Sequence, residues 1–371
     1  MKIIVRICRL LVGVLFIFSG FVKADDPLGF TYKLQEYFAK DALNMPWLNG
    51  LALPLAIAIP IVEMVLGLMI LIGARKKITL WLLLLTILFF SFLTLYTALY
   101  NKVTECGCFG DAIPMTAWAS FGKNMVLLVL ILILFAGRSY INPAFRKGTE
   151  GTAILLFTAV SFIFSLYCYN YLPVIDFRPY KVGTDMKQAM KGIPEIDKYY
   201  YTYQNKTTGV KKEFETAPDS NGWKYVSYRT VTIKKGIDPV DFNINSLSDE
   251  NVTDSILNIP GYTLLLISVH LKEWGGGREV MHKINELAHQ CRNNNIGFIC
   301  LTNSGEDEIA AFTKAYNPQF QFFNTDEVVL KTMIRSNPGL ILMKNAVIIA
   351  DWHFHSIPDY NKLKQAYFHT T

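Results

Sequence analysis

Glu105-Cys106-Gly107-Cys108-Phe109-Gly110-Asp111 lies between two apolar runs, Ile78–Tyr100 and Trp118–Ala136, and that placement decides the architecture. Each run is about 20 residues long and nearly free of charge, as a helix crossing a bilayer must be. Two thiols one glycine apart therefore sit in a polar loop at a membrane surface. Working outward, Leu51–Ile72 precedes these runs, Thr152–Leu172 follows them, and Ile3–Val22 opens the chain with the same character. A membrane α-helical bundle of four to five transmembrane helices is expected. The number depends on the start of the chain. Its basic residues, its apolar run and Val22-Lys23-Ala24 before two aspartates also suit a cleavable signal peptide.

The net charge of +6 is modest. Its placement orients the chain and does not point to a nucleic-acid partner. Lys2, Arg6 and Arg9 enter the first span, Arg75, Lys76 and Lys77 follow the second, and Arg138, Arg146 and Lys147 follow the fourth. An excess of Lys and Arg marks cytoplasmic loops. The Cys106–Cys108 loop then lies outside, and an odd number of spans carries Pro173–Thr371 to the same side. Both are placed where disulfides form and persist.

The domain plan reads as a helical membrane unit over residues 1–145, a further span within 146–173, a β-rich stretch over 174–239, and an α/β domain over 240–371. Asp25–Gly50 is an outer loop in which residues 32–38 suit a surface amphipathic helix. Tyr199–Gln204 and Val210–Phe214 read as strands about the turn Asn205-Lys206-Thr207-Thr208-Gly209. Beyond 240, strands are expected at Tyr262–Val269, Ile296–Leu301, Gly339–Met343 and Val347–Ala350. Helices are expected at Arg278–Arg292, Glu306–Ala315 and Asp359–Tyr367. A β-α-β start with a β-β-α finish implies a sheet with helices on both faces.

Two resemblances enter on particular strings. Ser19-Gly20-Phe21-Val22-Lys23, Pro60-Ile61-Val62-Glu63 with Gly67 and Gly73, and Cys106-Gly107-Cys108-Phe109-Gly110 together resemble the DoxX/MauE family over residues 1–145. That resemblance implies a helical unit supporting disulfide formation or electron transfer for periplasmic partners. Arg335-Ser336-Asn337-Pro338-Gly339-Leu340-Ile341-Leu342-Met343-Lys344-Asn345 resembles the segment of the thioredoxin-like fold in which a cis-proline opens a strand. Pro338 is that cis-proline candidate. The Cys-x-x-Cys of active members falls at Trp274-Gly275-Gly276-Gly277, which holds no cysteine, so dithiol exchange there is not expected. The fusion resembles a Bacteroidetes type of DoxX-like protein, which implies the inner (cytoplasmic) membrane of a bacterium with the tail extracytoplasmic.

The candidate catalytic pair is Cys106 and Cys108. A thiolate attacks a disulfide through a mixed disulfide, and a second nearby thiol resolves it. A structural bond, idle thiols and half a metal site are the alternatives, and the last is disfavoured because the membrane half holds no histidine. Glu63, the carboxylate well inside a span, is the intramembrane candidate, either in proton or quinone chemistry or as a hydrogen-bonding partner between helices. No cofactor is certain, and a membrane quinone is the candidate acceptor. Cys8, Cys168, Cys291 and Cys300 read as buried structural thiols. His353 and His355 read as sharing one side of a strand, with no third ligand for a metal. The preferred function is a membrane thiol–disulfide redox accessory acting on a periplasmic or envelope protein. The alternative is a non-enzymatic scaffold whose tail binds envelope proteins.

Overall fold

A computed structural model describes residues 1–100, 110–113, 115–192, 196–216, 218, 222–234 and 239–368. Among the described residues, five helices are long and apolar enough to cross a membrane: α1 (Lys2–Asp25), α3 (Ala52–Ile72), α4 (Lys76–Tyr100), α5 (Ala117–Ala136) and α6 (Lys147–Asn170). A shorter helix, α2 (Pro27–Phe38), follows α1. Asp26 starts it by accepting the Gly29 N–H at 2.8 Å, with Pro27 in the first turn where no N–H is needed. The amphipathic segment expected at 32–38 is the second half of this helix. Gly73 ends α3 in the left-handed region at φ 72°, which favours glycine.

Glycine also brings α1 against α3. A Cβ on Gly20 would stand 2.6 Å from the Pro60 carbonyl oxygen, and one on Gly67 would stand 2.7 Å from that of Gly13. Association between membrane helices relies on such close packing, since lipid supplies no hydrophobic drive between them. Val5, Val12, Phe16, Leu66, Ile70, Leu83 and Ile131 fill the seam shared with α4 and α5.

The chain then builds α7 (Met186–Lys191) and a three-stranded antiparallel sheet, β2 (Lys211–Phe214), β1 (Ile196–Asn205), β3 (Trp223–Lys234), in that spatial order. Next come α8 (Thr253–Leu257), β4 (Tyr262–Ser268), α9 (Gly277–Asn293), β5 (Gly297–Thr302) and α10 (Glu306–Tyr316). The chain continues through β6 (Gln321–Asn324), α11 (Glu327–Met333), β7 (Gly339–Lys344), β8 (Val347–His353) and α12 (Tyr360–Ala366). The second sheet runs β6-β5-β4-β7-β8, parallel among β4, β5 and β6, with β7 antiparallel to β4 and to β8.

Residues of β4 alternate between two cores. Leu265 and Ile267 pack with Met186, Phe242, Ile244, Leu330 and Met333 on one face, while Leu264 and Leu266 pack with Ile284, Leu287, Phe312 and Leu363 on the other. This C-terminal α/β domain recruits residues upstream of 240. The Gly183 N–H donates to Ile348 and the Ile348 N–H to Thr184, so residues 183–186 lie along the edge of β8.

Candidate functional site

The bundle has two chemically distinct ends. At one, the Arg9 guanidinium donates to the Ile70 and Leu71 carbonyls at the end of α3 and to Asn142. There too the Arg75 N–H donates to Glu150 and Lys76 reaches the Ile141 carbonyl. The basic loops thus converge on one side and satisfy helix-end carbonyls. The opposite end holds Asp25, Asp26, α2, Gly110, the exit of α6 and the C-terminal domain.

Glu63 is not alone inside the bundle. Lys23, from the last turn of α1, donates to both its carboxylate oxygens at 2.8 and 3.0 Å and to Ser19 Oγ at 2.8 Å. Both side chains of the pair are only 3% exposed. The rings of Phe90 and Phe30 stand 5.0 and 5.8 Å from the ammonium. An isolated charge here would be very costly, and pairing with saturated hydrogen bonds is what makes burial tolerable. Beside the pair lies a cavity of about 20 Å³ lined by Ser19, Lys23, Glu63, Lys123 and Asn124 among apolar side chains. Asn124 is held from α4 by a 3.3 Å bond to Thr94 Oγ1.

Above this sits a cleft of about 530 Å³ between the bundle and the C-terminal domain. Arg335 of the domain donates to both oxygens of Asp26 at 2.8 and 3.0 Å, so the carboxylate that caps α2 also ties the two parts together. Asp25 accepts the Val174 and Ile175 N–H groups and fixes the chain leaving α6. Further along, Arg178 donates to Asp176, to Asp351 of β8 and to the Met333 carbonyl. Burial disfavours the Asp176 carboxylate, but hydrogen bonding and charge from Arg178 outweigh it and hold this carboxyl below the usual range. At Asp351 burial wins over Arg178, and the carboxyl is raised. Burial also opposes the charge on Arg178, yet its two carboxylates raise it further above its ordinary value.

Cys106 and Cys108 lie outside the described residues. Gly110, two residues beyond Cys108, lines the cleft. The four described cysteines are buried and unbridged. Burial pushes the Cys291 thiol up to about 12 and raises Cys300 as well, so neither favours a thiolate. Among the described residues no group of three His, Cys, Asp or Glu side chains is placed to hold a metal.

The Asn337–Pro338 bond is cis. Against it packs the glycine loop. The Gly275 N–H donates to the Asn337 carbonyl, and a Cβ at Gly275 would stand 2.8 Å from that oxygen and from the Phe354 ring. His353 and His355 do not share a strand. β8 ends at His353, whose Nδ1 accepts the His355 N–H and turns the chain, so His355 meets the Asn170 carbonyl at 2.7 Å. The two rings remain neighbours at 4.7 Å.

With five apolar helices in place, one comparison bears on the membrane half. The family described as methylamine utilisation protein MauE matches residues 1–137. The membrane half is MauE-like. The match takes in α1 to α5 together with Lys23, Glu63 and the Cys106–Cys108 string, and leaves α6 and the C-terminal domain beyond it. No curated protein and no solved structure matches the chain. The chain is a multi-pass membrane protein, and its likeness to MauE suggests an accessory role at the membrane.

Sequence reasoning singled out Glu63 but not its partner. Lys23 was visible as a charge near the end of the first span, forty positions away, and nothing in the spacing joined the two. Arg178 carried no motif, while Arg335 stood in the cis-proline string and Asp26 after the first span without either being read as an ion-pair partner. For Asp26 and Arg178 a signal was their position beside spans, where unpaired charge is expensive.

Proposed function

We propose that this protein is a membrane thiol–disulfide redox accessory whose reactive groups are Cys106 and Cys108. One thiolate attacks a disulfide of an extracytoplasmic partner protein, forming a mixed disulfide and releasing one partner thiolate. The second cysteine attacks its neighbour's sulfur, which frees the partner as a dithiol and leaves Cys106–Cys108 bonded. Run in reverse, the same exchanges oxidise the partner. Restoring the pair requires a two-electron membrane carrier, for which a quinone is the proposed acceptor or donor.

The observation that carries this reading is the position of Gly110 on the wall of the cleft, two residues from Cys108 and at the end opposite the basic loops. Two residues of chain reach at most about 7 Å. The positive-inside bias supports reading the basic loops as cytoplasmic, and on that reading the cleft opens outside the inner membrane of a bacterium. The tail is read as thioredoxin-like. Support comes from its strand order, from the cis bond at Pro338 and from the glycine loop facing that bond, where active members carry Cys-x-x-Cys. On this reading the tail covers the thiol loop and receives the partner.

The scaffold alternative draws on the burial of every described cysteine of the tail. Trapping separates the two. In membranes carrying Cys106→Ser or Cys108→Ser, the remaining thiol should retain a partner protein in a linkage that reductant releases. If neither variant retains a protein, and the double serine variant functions while deletion of residues 173–371 abolishes function, the scaffold reading replaces this one.

A further inference from the structure

Lys23 belongs to the wall of the outer cleft and to the wall of the internal cavity, and Glu63 lines only the latter. The ion pair is therefore a polar partition between two spaces. We propose that Lys23 and Glu63 form a proton relay joining the cleft to one water molecule held inside the bundle. This deepens the function proposed above, since oxidising a dithiol releases protons in the cleft.

The smaller cavity has room for a water molecule. Its volume of about 20 Å³ exceeds the roughly 10–15 Å³ that one water molecule requires. A buried water also needs two to four polar partners, and Ser19, Glu63, Lys123 and Asn124 all border this space. A pair serving only to pin α1 to α3 would not call for a second space lined by Ser19, Lys123 and Asn124 beside it. The charged groups facing the pair are few. α1 supplies Lys23, α3 supplies Glu63 and α5 supplies Lys123, while α4 and α2 present the Phe90 and Phe30 rings.

The transfer balances without a co-reactant. The Lys23 ammonium gives a proton to the Glu63 carboxylate along a 2.8 Å bond. The neutral carboxyl passes its proton to the water while the water returns one of its own to the other carboxylate oxygen, so no hydronium is left behind. The carboxyl then gives a proton back to the amine, the ammonium exchanges one with the cleft, and the pair returns to its starting charges with protons exchanged, not accumulated, across the partition.

The test uses the whole chain in its membrane and dicyclohexylcarbodiimide, an apolar reagent that couples to protonated carboxyls. Peptide mass spectrometry should find the adduct on Glu63. Replacing the chamber's polar lining, with Ser19→Val and Asn124→Leu, should slow that labelling about tenfold, because the carboxyl loses its proton exchange partner. Should the double variant not fold, a carboxyl infrared band that shifts in D₂O and vanishes in Glu63→Gln gives the same information from the native chain. Absence of the adduct and of the band, or labelling indifferent to the chamber in a folded variant, overturns the relay. Thiol trapping reads sulfur and this test reads a carboxyl, so the two proposals fail separately.

Discussion

Lys23 and Arg178 are both buried cations held by carboxylates, yet they are built differently. Lys23 spends its donors on Ser19 and a single carboxylate, Glu63, within the helical bundle. Arg178 spreads a planar fork over Asp176, Asp351 and a backbone carbonyl where the chain enters the C-terminal domain. The Lys23 and Glu63 side chains are 3% exposed, whereas Asp176 and Asp351 keep 23% and 15%. Both cations are 3% exposed, so the difference lies in their geometry. A compact ammonium is satisfied by one carboxylate and one hydroxyl, whereas a planar fork gathers several acceptors at once.

Breaking the membrane pair should have the largest effect. Lys23→Met or Glu63→Leu alone leaves one uncompensated charge in the bundle and should cost about 3–5 kcal/mol. The combined Lys23→Met and Glu63→Leu variant should recover most of that loss, as measured by thermal unfolding in detergent. A double variant as unstable as either single one would show that the bundle needs the charges themselves.

Arg178→Met should cost about 2–4 kcal/mol, because it leaves two carboxylates facing each other with water only at the edge. The loss should carry a pH signature. The Asp176 carboxyl is held low in the folded chain, so its contribution is present above the unfolded value of about 3.9 and is lost as pH falls through the lower, folded value. Asp176→Asn should therefore destabilise at neutral pH, and the deficit should shrink in acid unfolding curves.

His353 sharpens the contrast as a buried group that stays neutral. Burial, helped by the neighbouring His355, pushes its imidazole down to about 4. The unfolded chain takes up this proton near 6.5, so stability rises with pH across the interval from about 4 to 6.5. Acidifying through that interval should remove on the order of 2–3 kcal/mol in the native chain, and His353→Gln should flatten the dependence.

The smallest effect is expected at the tie between the two parts. Arg335→Ala should cost about 1 kcal/mol because Asp26 is partly exposed, and salt should weaken the native pair in the same direction. Faster proteolysis between residues 171 and 179 would read this loosening.

Helix spans were legible because bilayer thickness imposes length and apolarity directly. The run expected at 78–100 is α4 within two residues, and the run at 118–136 is α5 within one. The strands of the C-terminal domain were legible where apolar runs stood between turn residues, as at Tyr262 and Gly339. β6 was missed because four residues are too few for a period to declare itself, and α11 was missed although it is as long as α12, which was read. β3 was missed because a strand mixing Lys, Tyr, Ser and Arg has no clear apolar alternation. In the candidate site, Glu63 stood out as a carboxylate in hydrocarbon. Its pairing with Lys23, and the Asp26–Arg335 tie across 309 positions, are long-range contacts that one sequence does not encode locally.

The central claim is that the Cys106–Cys108 loop faces the exterior with the cleft and cycles between thiol and disulfide. Membrane-impermeant maleimide applied to intact cells tests it directly, with cysteines introduced at Asp26 and, separately, at Lys77 as markers of the two ends. Cys106, Cys108 and the marker at position 26 should label from outside, the marker at 77 only after permeabilisation, and oxidant should block the native pair until reductant restores it. Labelling of the pair only from the cytosolic side, or labelling unchanged by oxidant and reductant, would contradict the account.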